Sequence, residues 1–525
     1  MEQKDNTQPG LRNSFVLLAV GSLSLAIYIP TMSRHVVPGD VSIFLVRASR
    51  LILDGFAQTH SLFLLIVHPF LAIPGIPPPT AGSLVSATAA AGAVVFAYAT
   101  IHNLTSDRWA AGVGALSLAV AHTMWFHAVI PEVYTLNALF QGAALFFACR
   151  WYTRHRATDL WLMAFLASLG CMNHLLSAIT LVTCMVWAGV VTHTEKRPGR
   201  HLAGAVGACS LGLAPLAALV ARDAARLGIS QALRAAVIGG SGMFGGGTTT
   251  FTNIVTKWSV VRILKQTAGS LIAACYNFAS PVFLLIAAEV CHFFRHREHP
   301  QTLISSLFAV HLAFGCLYRV NDYWAFLLPA WLPLSVMGGL GFARFVSSRL
   351  KHRRPAPRAM LATAFTASVL VCPAVVYRSA PILADAMAHN MLTDRGTGVN
   401  TSHMNYWRFY LWPPKYNAGA AEDWVRKTLR SVPRGSLLML STANHKIALY
   451  LQEMQDWPGQ VELTVLGPES VESALRKGQR VFVESAAAFE QLELPEKKYR
   501  VKRYRSAYEV LRTAPGNNRG SHATR

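Results

Sequence analysis

Apolar stretches of roughly 17 to 22 residues recur from Ser14 to about Tyr377, each long enough to cross a hydrocarbon core of roughly 30 Å. This recurrence constrains the fold more than any motif, because a bilayer admits only helices and closed barrels. Hydrophobic residues make up 52% of the chain and charged residues 14%, with a mean hydropathy of +0.33, which excludes an ordinary soluble enzyme. The expected fold is an α-helical polytopic membrane protein with a soluble α/β domain at its C-terminal end.

The formal charge of +22 could suggest a nucleic-acid partner, but the basic residues sit in short clusters between apolar segments, where the positive-inside rule puts them. No basic face with interleaved aromatics stands on a soluble segment, so nucleic-acid binding is not expected. The cysteines all lie in or beside apolar segments, which supports neither a disulfide framework nor a CxxC metal site. The run from Ser14 to Tyr28 reads as an uncleaved first span, since no A-x-A type site follows it.

About eleven spans put every basic cluster on one side: 14–33, 82–102, 109–126, 134–149, 159–171, 175–192, 202–220, 270–292, 302–318, 324–345 and 359–377. The inside loops then hold Arg108, the Arg150 and Arg154 cluster, Lys196 with Arg197, Arg295 with Arg297, and the run from Arg349 to Arg358. This count requires 61–73, broken by His68 and Pro69, to be interfacial or re-entrant. Residues 1–377 are the expected transmembrane domain, with a first external loop at 34–81 carrying interfacial helices and a second at 222–267 containing a glycine-rich stretch. That stretch lacks the Gly-Lys-Ser/Thr ending of a phosphate loop. Short strand-like and helix-like runs alternate from 378 to 512, reading as an external α/β domain, and 513–525 reads as a disordered tail.

On this topology several external turns present polar groups: Asp40 after Pro38 and Gly39, Glu132 after Pro131, the Asn173–His174 pair, and Asp322 before Tyr323. A carboxylate at a membrane boundary is costly to desolvate and normally faces water, a cation or a substrate. Each also has a structural reading. Asp40 could cap the following helix, Glu132 could pair with Arg34 or Arg222, Asn173 and His174 could satisfy helix ends, and Asp322 could pair with Arg319. Their conjunction on one side favours a site.

The stretches WFHAVIPEVYTLNALFQGAALFFACRW at 125–151, LGCMNHLLSAI at 169–179 and YRVNDYWAFLLPAW at 318–331 resemble, in order and spacing, the multi-spanning glycosyltransferases of the GT-C class. The nearest branch is that of the transmembrane protein O-mannosyltransferases that modify plexin and Met-type receptors, with their bacterial relatives. The similarity reaches PGDVSIF at 38–44 and, more weakly, WPPKYNAGAAEDW at 412–424 and ALYLQEMQDWPGQVELTVL at 448–466. The resemblance implies a transferase facing the exoplasmic side that uses a sugar on a polyprenyl phosphate. It places the catalytic base on Asp40 and the second acidic block on Glu132, beside Tyr134; the Asn-His pair falls on Asn173 and His174, and the Asp-aromatic block on Asp322 and Tyr323. The chain departs from the pattern twice. Val41, Ser42 and Ile43 follow Asp40 where the family has Ser-Gly-Glu, and GFAQTHSLF at 55–63 replaces a His-Pro-Pro-Gly-Tyr-Pro run, with His60 its nearest counterpart.

Sugar transfer from a lipid phosphate to a hydroxyl needs a base, groups that hold the leaving phosphate, and exclusion of water. Asp40 would be the base and Glu132 would orient acceptor or sugar hydroxyls. His174 and Arg319 would hold the phosphate. Asp40, Glu132 and Asp322 could converge on a divalent metal, although oxygen ligands scattered over three loops argue weakly for one. No nucleotide-binding fingerprint or Asp-x-Asp motif is present, so a nucleotide-sugar donor is disfavoured. The expected partners are a polyprenyl-phosphate sugar, mannose-like by the resemblance, and a protein or glycan acceptor. A transporter or flippase and a non-catalytic envelope-glycan scaffold are the alternatives. High Ala and Arg content suggests a bacterial inner membrane, with the active site and C-terminal domain in the periplasm.

Overall fold

The computed structural model describes residues 9–238, 259–318, 323–350, 355–391, 406–455, 461–495 and 498–513. They form two compact units. The first contains 9–33, the described residues within 47–391, and 406–416; the second contains 34–46 and the described residues from 417 onward.

The first unit is helical: α1 (Pro9–Tyr28), α2 (Val41–Ser49, whose last residues enter this unit), α3 (Ser61–Leu71), α4 (Pro78–Thr105), α5 (Arg108–Ala119), α6 (His122–Ala128), α7 (Tyr134–Arg154), α8 (Ala157–Leu169), α9 (Leu176–Thr194), α10 (Arg200–Leu227) and α11 (Ile229–Ile238). It continues with helices Val260–Asn277, Val282–His296, His299–Leu317, Leu328–Leu350, Pro355–Met391 and Tyr406–Leu411. Local signals set several boundaries. Prolines open α4, where a missing N–H costs nothing, and Asp107 caps α5 by accepting from the Trp109 and Ala110 amides at 3.0 and 3.3 Å. Helix Leu328–Leu350 is buried through its apolar window and forms the centre of the bundle. By contrast α10 and Pro355–Met391 expose Val206, Leu211, Val371 and Ile382, the surface of helices that meet lipid.

Seven described helices are long and apolar enough to cross a membrane, or eight if the pair α5–α6, bent by 62°, is one span. The expected count of about eleven is not reproduced, for identifiable reasons. Helix α8 has 13 residues, too few to span; α7 carries Arg150 and Arg154; and the expected span 270–292 is two helices parted at Phe278–Pro281. The stretch 61–73 forms α3, an 11-residue helix with Pro69 near its end.

Broken helices leave backbone groups that lipid cannot satisfy, so the breaks need polar side chains. The Tyr28 hydroxyl donates to the Ala119 carbonyl at 2.8 Å, and the Asn277 amide oxygen accepts the Thr123 N–H at 2.8 Å. The buried Tyr377 hydroxyl lies 3.1–3.2 Å from the carbonyls of Val120, Tyr276 and Asn277, within reach of an acceptor at either break. Close helix packing uses missing side chains. A Cβ on Gly114 of α5 would lie 2.8 Å from the Ser335 carbonyl, and one on Gly339 would lie 2.9 Å from the Ala110 carbonyl.

The second unit holds a five-stranded sheet in the order β2-β1-β3-β5-β4, from β1 (Leu437–Leu440), β2 (Glu462–Val465), β3 (Val481–Val483), β4 (Tyr499–Tyr504) and β5 (Ala507–Arg512). β1 pairs parallel with β2 and β3, while β5 pairs antiparallel with β3 and β4. Helices Ala420–Ser431, Thr442–Met454 and Pro468–Arg476 connect and cover the strands. Leu437, Met439, Val471, Val481, Val483 and Val510 form its core.

Candidate active site

In the helical unit, five sequence-expected residues, His60, Glu132, Tyr134, Asn173 and His174, gather where the chain enters α3, α7 and α9. His60 occupies the left-handed region (φ 56°) just before α3, a conformation that costs a β-carbon-bearing residue free energy and persists only when its surroundings hold it. Its Nδ1–H donates to the Asn173 carbonyl at 2.7 Å, and its ring stacks on His174 with centroids 4.9 Å apart. The His174 Nδ1 accepts the Leu176 amide N–H at 3.1 Å. These bonds fix opposite tautomers in the neutral rings: His60 carries its lone pair on Nε2, and His174 its proton on Nε2. Burial, then the neighbouring His60, hold the His174 pKa well below the usual imidazole range.

Asn173 ties this pair to the acidic turn. Its side-chain amide donates to the Val133 carbonyl at 3.0 Å, one residue past Glu132. The Glu132 backbone is gripped from α4 by Ser86, whose oxygen accepts the Glu132 N–H at 3.0 Å and whose proton goes to the Glu132 carbonyl at 3.1 Å. The peptide that carries the Glu132 side chain is thus held from both ends. Asn173 Oδ1 is buried with no hydrogen-bond partner among the described residues.

Aromatic rings extend the cluster. Tyr134 stands 5.6 Å from His174 and 4.8 Å from His127; His127 stacks on Trp324 at 5.0 Å, and Trp324 meets the edge of Phe126 at 4.9 Å. Both ring nitrogens of the buried His127 lack a hydrogen-bond partner among the described residues. Lys415 is buried above the faces of Phe126 and Phe409 at 4.3 and 5.1 Å, and its Nζ donates to the carbonyls of Trp412 and Pro413. Burial pushes its ammonium pKa well below the usual lysine range. The Tyr323 phenol lies over Gly269, 2.7 Å from where a β-carbon would stand.

Asp40 belongs to the other unit. Its carbonyl accepts the Phe44 N–H at 3.0 Å at the start of α2, while its half-exposed carboxylate pairs with Lys446 on helix Thr442–Met454. The same segment is fastened to helix Ala420–Ser431, where Glu422 accepts the Val36 N–H at 2.8 Å and lies 3.4 Å from His35. Arg319 and Asp322 lie outside the described residues. Among the described residues no group of three or more His, Cys, Asp or Glu side chains could hold a metal ion.

Residues 58–197, which include His60, Glu132, Tyr134, Asn173 and His174, match the model of the Protein O-mannosyl-transferase TMEM260 N-terminal domain. The whole architecture is similar to that of ArnT from Cupriavidus metallidurans in the apo state, with a TM-score of 0.60, 13% identity, and coverage of 95% of this chain and 97% of that one. The crystal structure of the same protein bound to undecaprenyl phosphate gives a TM-score of 0.59 at 12% identity, with coverage of 95% and 97%. The chain has the GT-C glycosyltransferase fold. No curated protein matches it.

Within this GT-C fold the structure adds four residues that sequence reasoning did not select. His127 and Trp324 lie in the stretches that carry the resemblance, but nothing in a linear pattern distinguishes a stacked imidazole from a core one. Lys415 had a usable signal, a lone lysine in the aromatic and proline-rich WPPKY run. Lys446 had none, since its pairing with Asp40 spans 406 residues of sequence.

Proposed function

We propose that the protein is a membrane glycosyltransferase that moves a sugar, mannose-like by family resemblance, from a polyprenyl-phosphate donor to a hydroxyl on the outer, periplasmic face, the acceptor being a protein Ser or Thr. The observation that carries this reading is the stacked His60–His174 pair, tied through Asn173 to the Glu132 turn, inside the stretch that matches the O-mannosyl-transferase family model. The ArnT structure bound to undecaprenyl phosphate supports a lipid phosphate as leaving group.

In this mechanism the Asp40 carboxylate takes the acceptor proton as the acceptor oxygen bonds to the anomeric carbon. The bond from that carbon to the phosphate oxygen breaks, and the polyprenyl phosphate leaves with the electron pair. A neutral His174 presents Nε2–H to the leaving phosphate, with Arg319 as its charged partner. Glu132 orients sugar or acceptor hydroxyls; His60, Tyr134, Asn173, Asp322 and Tyr323 shape the surrounding site. An outer leaflet with a lipid-linked donor fits a bacterial inner membrane.

The test is sugar transfer by the lipid-reconstituted protein, offered polyprenyl-phosphate mannose, glucose and arabinose with a mixed periplasmic acceptor extract. Asp40→Asn is expected to reduce transfer by about 10²–10⁴-fold, the usual worth of a general base. Absence of transfer from every donor by folded wild-type protein would reject the enzyme. Transfer surviving in Asp40→Asn would reject the assigned base.

A further inference from the structure

The C-terminal unit contains a cleft that the transfer mechanism does not use. The chain leaves β1 for β2 on one side of β1, then returns to place β3 on its other side, so the carboxyl ends of β1 and β3 flank a topological switch point. Open sheets with parallel strands bind ligands at such points, because the connections diverge there and leave a crevice. Glu484 directly follows β3, and Ser441 directly follows β1. The Glu484 carboxylate accepts from the Ser441 hydroxyl at 3.1 Å and from the Asn444 amide at 2.8 Å, bridging the two strand ends.

On the β3 side of that point Glu484, with the following Ser485, Ala486 and Ala487, lines a cleft of about 850 Å³, within the roughly 300–1,000 Å³ of small-ligand sites. The antiparallel pairing of β5 with β3, with Val483 opposite Tyr508, brings the β4–β5 turn to the same end of the sheet, and Arg503 and Arg505 line the cleft from there. Lys427 and Trp424 line it from helix Ala420–Ser431. Three cations therefore line the same cleft as a single carboxylate, and burial raises the pKa of that carboxyl group against the donors Asn444 and Ser441. The Ser431 and Ser506 hydroxyls, 2.7 Å apart, also line the cleft.

We propose that this cleft is a second binding site, for an acidic saccharide. The guanidinium groups of Arg503 and Arg505 take its phosphate or carboxylate, Glu484 and the serine pair take its hydroxyls, and Trp424 takes its apolar ring face. A bare anion would use only the cations, and a neutral sugar only the rest.

The test uses the full chain in detergent and calorimetric titration with glucose 6-phosphate, glucuronate, glucose and inorganic phosphate. Saturable binding of glucose 6-phosphate or glucuronate is expected, with glucose and phosphate each weaker by about tenfold or more, the scale of one lost charge-assisted contact. Glucose 6-phosphate binding alone would identify the anion as phosphate, and glucuronate alone as carboxylate. The double substitution Arg503→Ala/Arg505→Ala changes exposed side chains, and should weaken binding by about tenfold or more without moving the melting temperature. Glu484→Gln should weaken sugar-phosphate binding while leaving phosphate binding unchanged. Absence of saturable binding by either acidic sugar, or equal affinity in the arginine variant, overturns the site. Phosphate binding as tight as sugar-phosphate binding overturns its assignment to a saccharide.

Discussion

Replacing Tyr377 with Phe removes one oxygen and almost no volume, so the result isolates a hydrogen bond. The side chain is fully buried, and its hydroxyl lies 3.1–3.2 Å from three carbonyls that flank the breaks after α5 and after Asn277. A phenol has one proton and serves one carbonyl at a time. Its loss leaves one buried acceptor unsatisfied, which costs about 1–3 kcal/mol. Domains of 150–250 residues lose roughly 2–4 °C of melting temperature per kcal/mol, and larger ones less, so at about 1 °C per kcal/mol a fall of about 1–3 °C is expected in detergent. The effect should reach function, because α6, which the first break positions, carries Phe126 and His127. The companion Tyr28→Phe removes the 2.8 Å bond to Ala119 on the other side of that break, and the two losses should not add. An unchanged melting temperature in Tyr377→Phe would refute the claim that side-chain donors sustain the broken helices. Simple additivity of the two variants would refute their action on a common break.

The depressed pKa of His174 fixes the sign of a pH effect: the folded state holds the ring neutral while the unfolded chain protonates near pH 6.5, so stability is full above that pH and declines below it. The slope contributed by this one group is at most about 1.4 kcal/mol per pH unit, and His174→Gln should flatten the melting profile between pH 6.5 and 5. Gly339→Ala drives a methyl to 2.6 Å from Ile101 and 2.9 Å from the Ala110 carbonyl, and should cost about 1–3 kcal/mol in thermal unfolding. Gly189→Ala, where a methyl meets nothing within 4 Å, should be neutral or stabilise by up to about 1 kcal/mol. A double-mutant cycle on Asp40 and Lys446 should give a coupling of only about 0.2–1 kcal/mol in stability, the worth of a half-exposed ion pair.

The helical character of the described residues up to Met391 is a local property of the chain, and apolar runs such as 78–105 and 328–350 announce it directly. The VFV run at 481–483 and the LLML run at 437–440 are equally legible as short buried strands. Glu132, Tyr134, Asn173 and His174 lie in the stretches that carry the resemblance, so these candidates could be named from residue type and order alone. What hydropathy could not reveal is where a long apolar run breaks. The breaks at Val120–Ala121 and Phe278–Pro281 exist because Tyr28, Tyr377 and Asn277 arrive from distant helices to satisfy freed backbone groups. Partnership was equally hidden, since the stack of His60 on His174 joins residues 113 or more positions apart. The sequence by itself determined that this chain enters a membrane as helices and which ionisable side chains it carries there, because both follow from residues taken singly or in short windows. Only the tertiary structure decided which helices break, which imidazole tautomers form, and that Lys446 meets Asp40, because each depends on contacts that no local window contains.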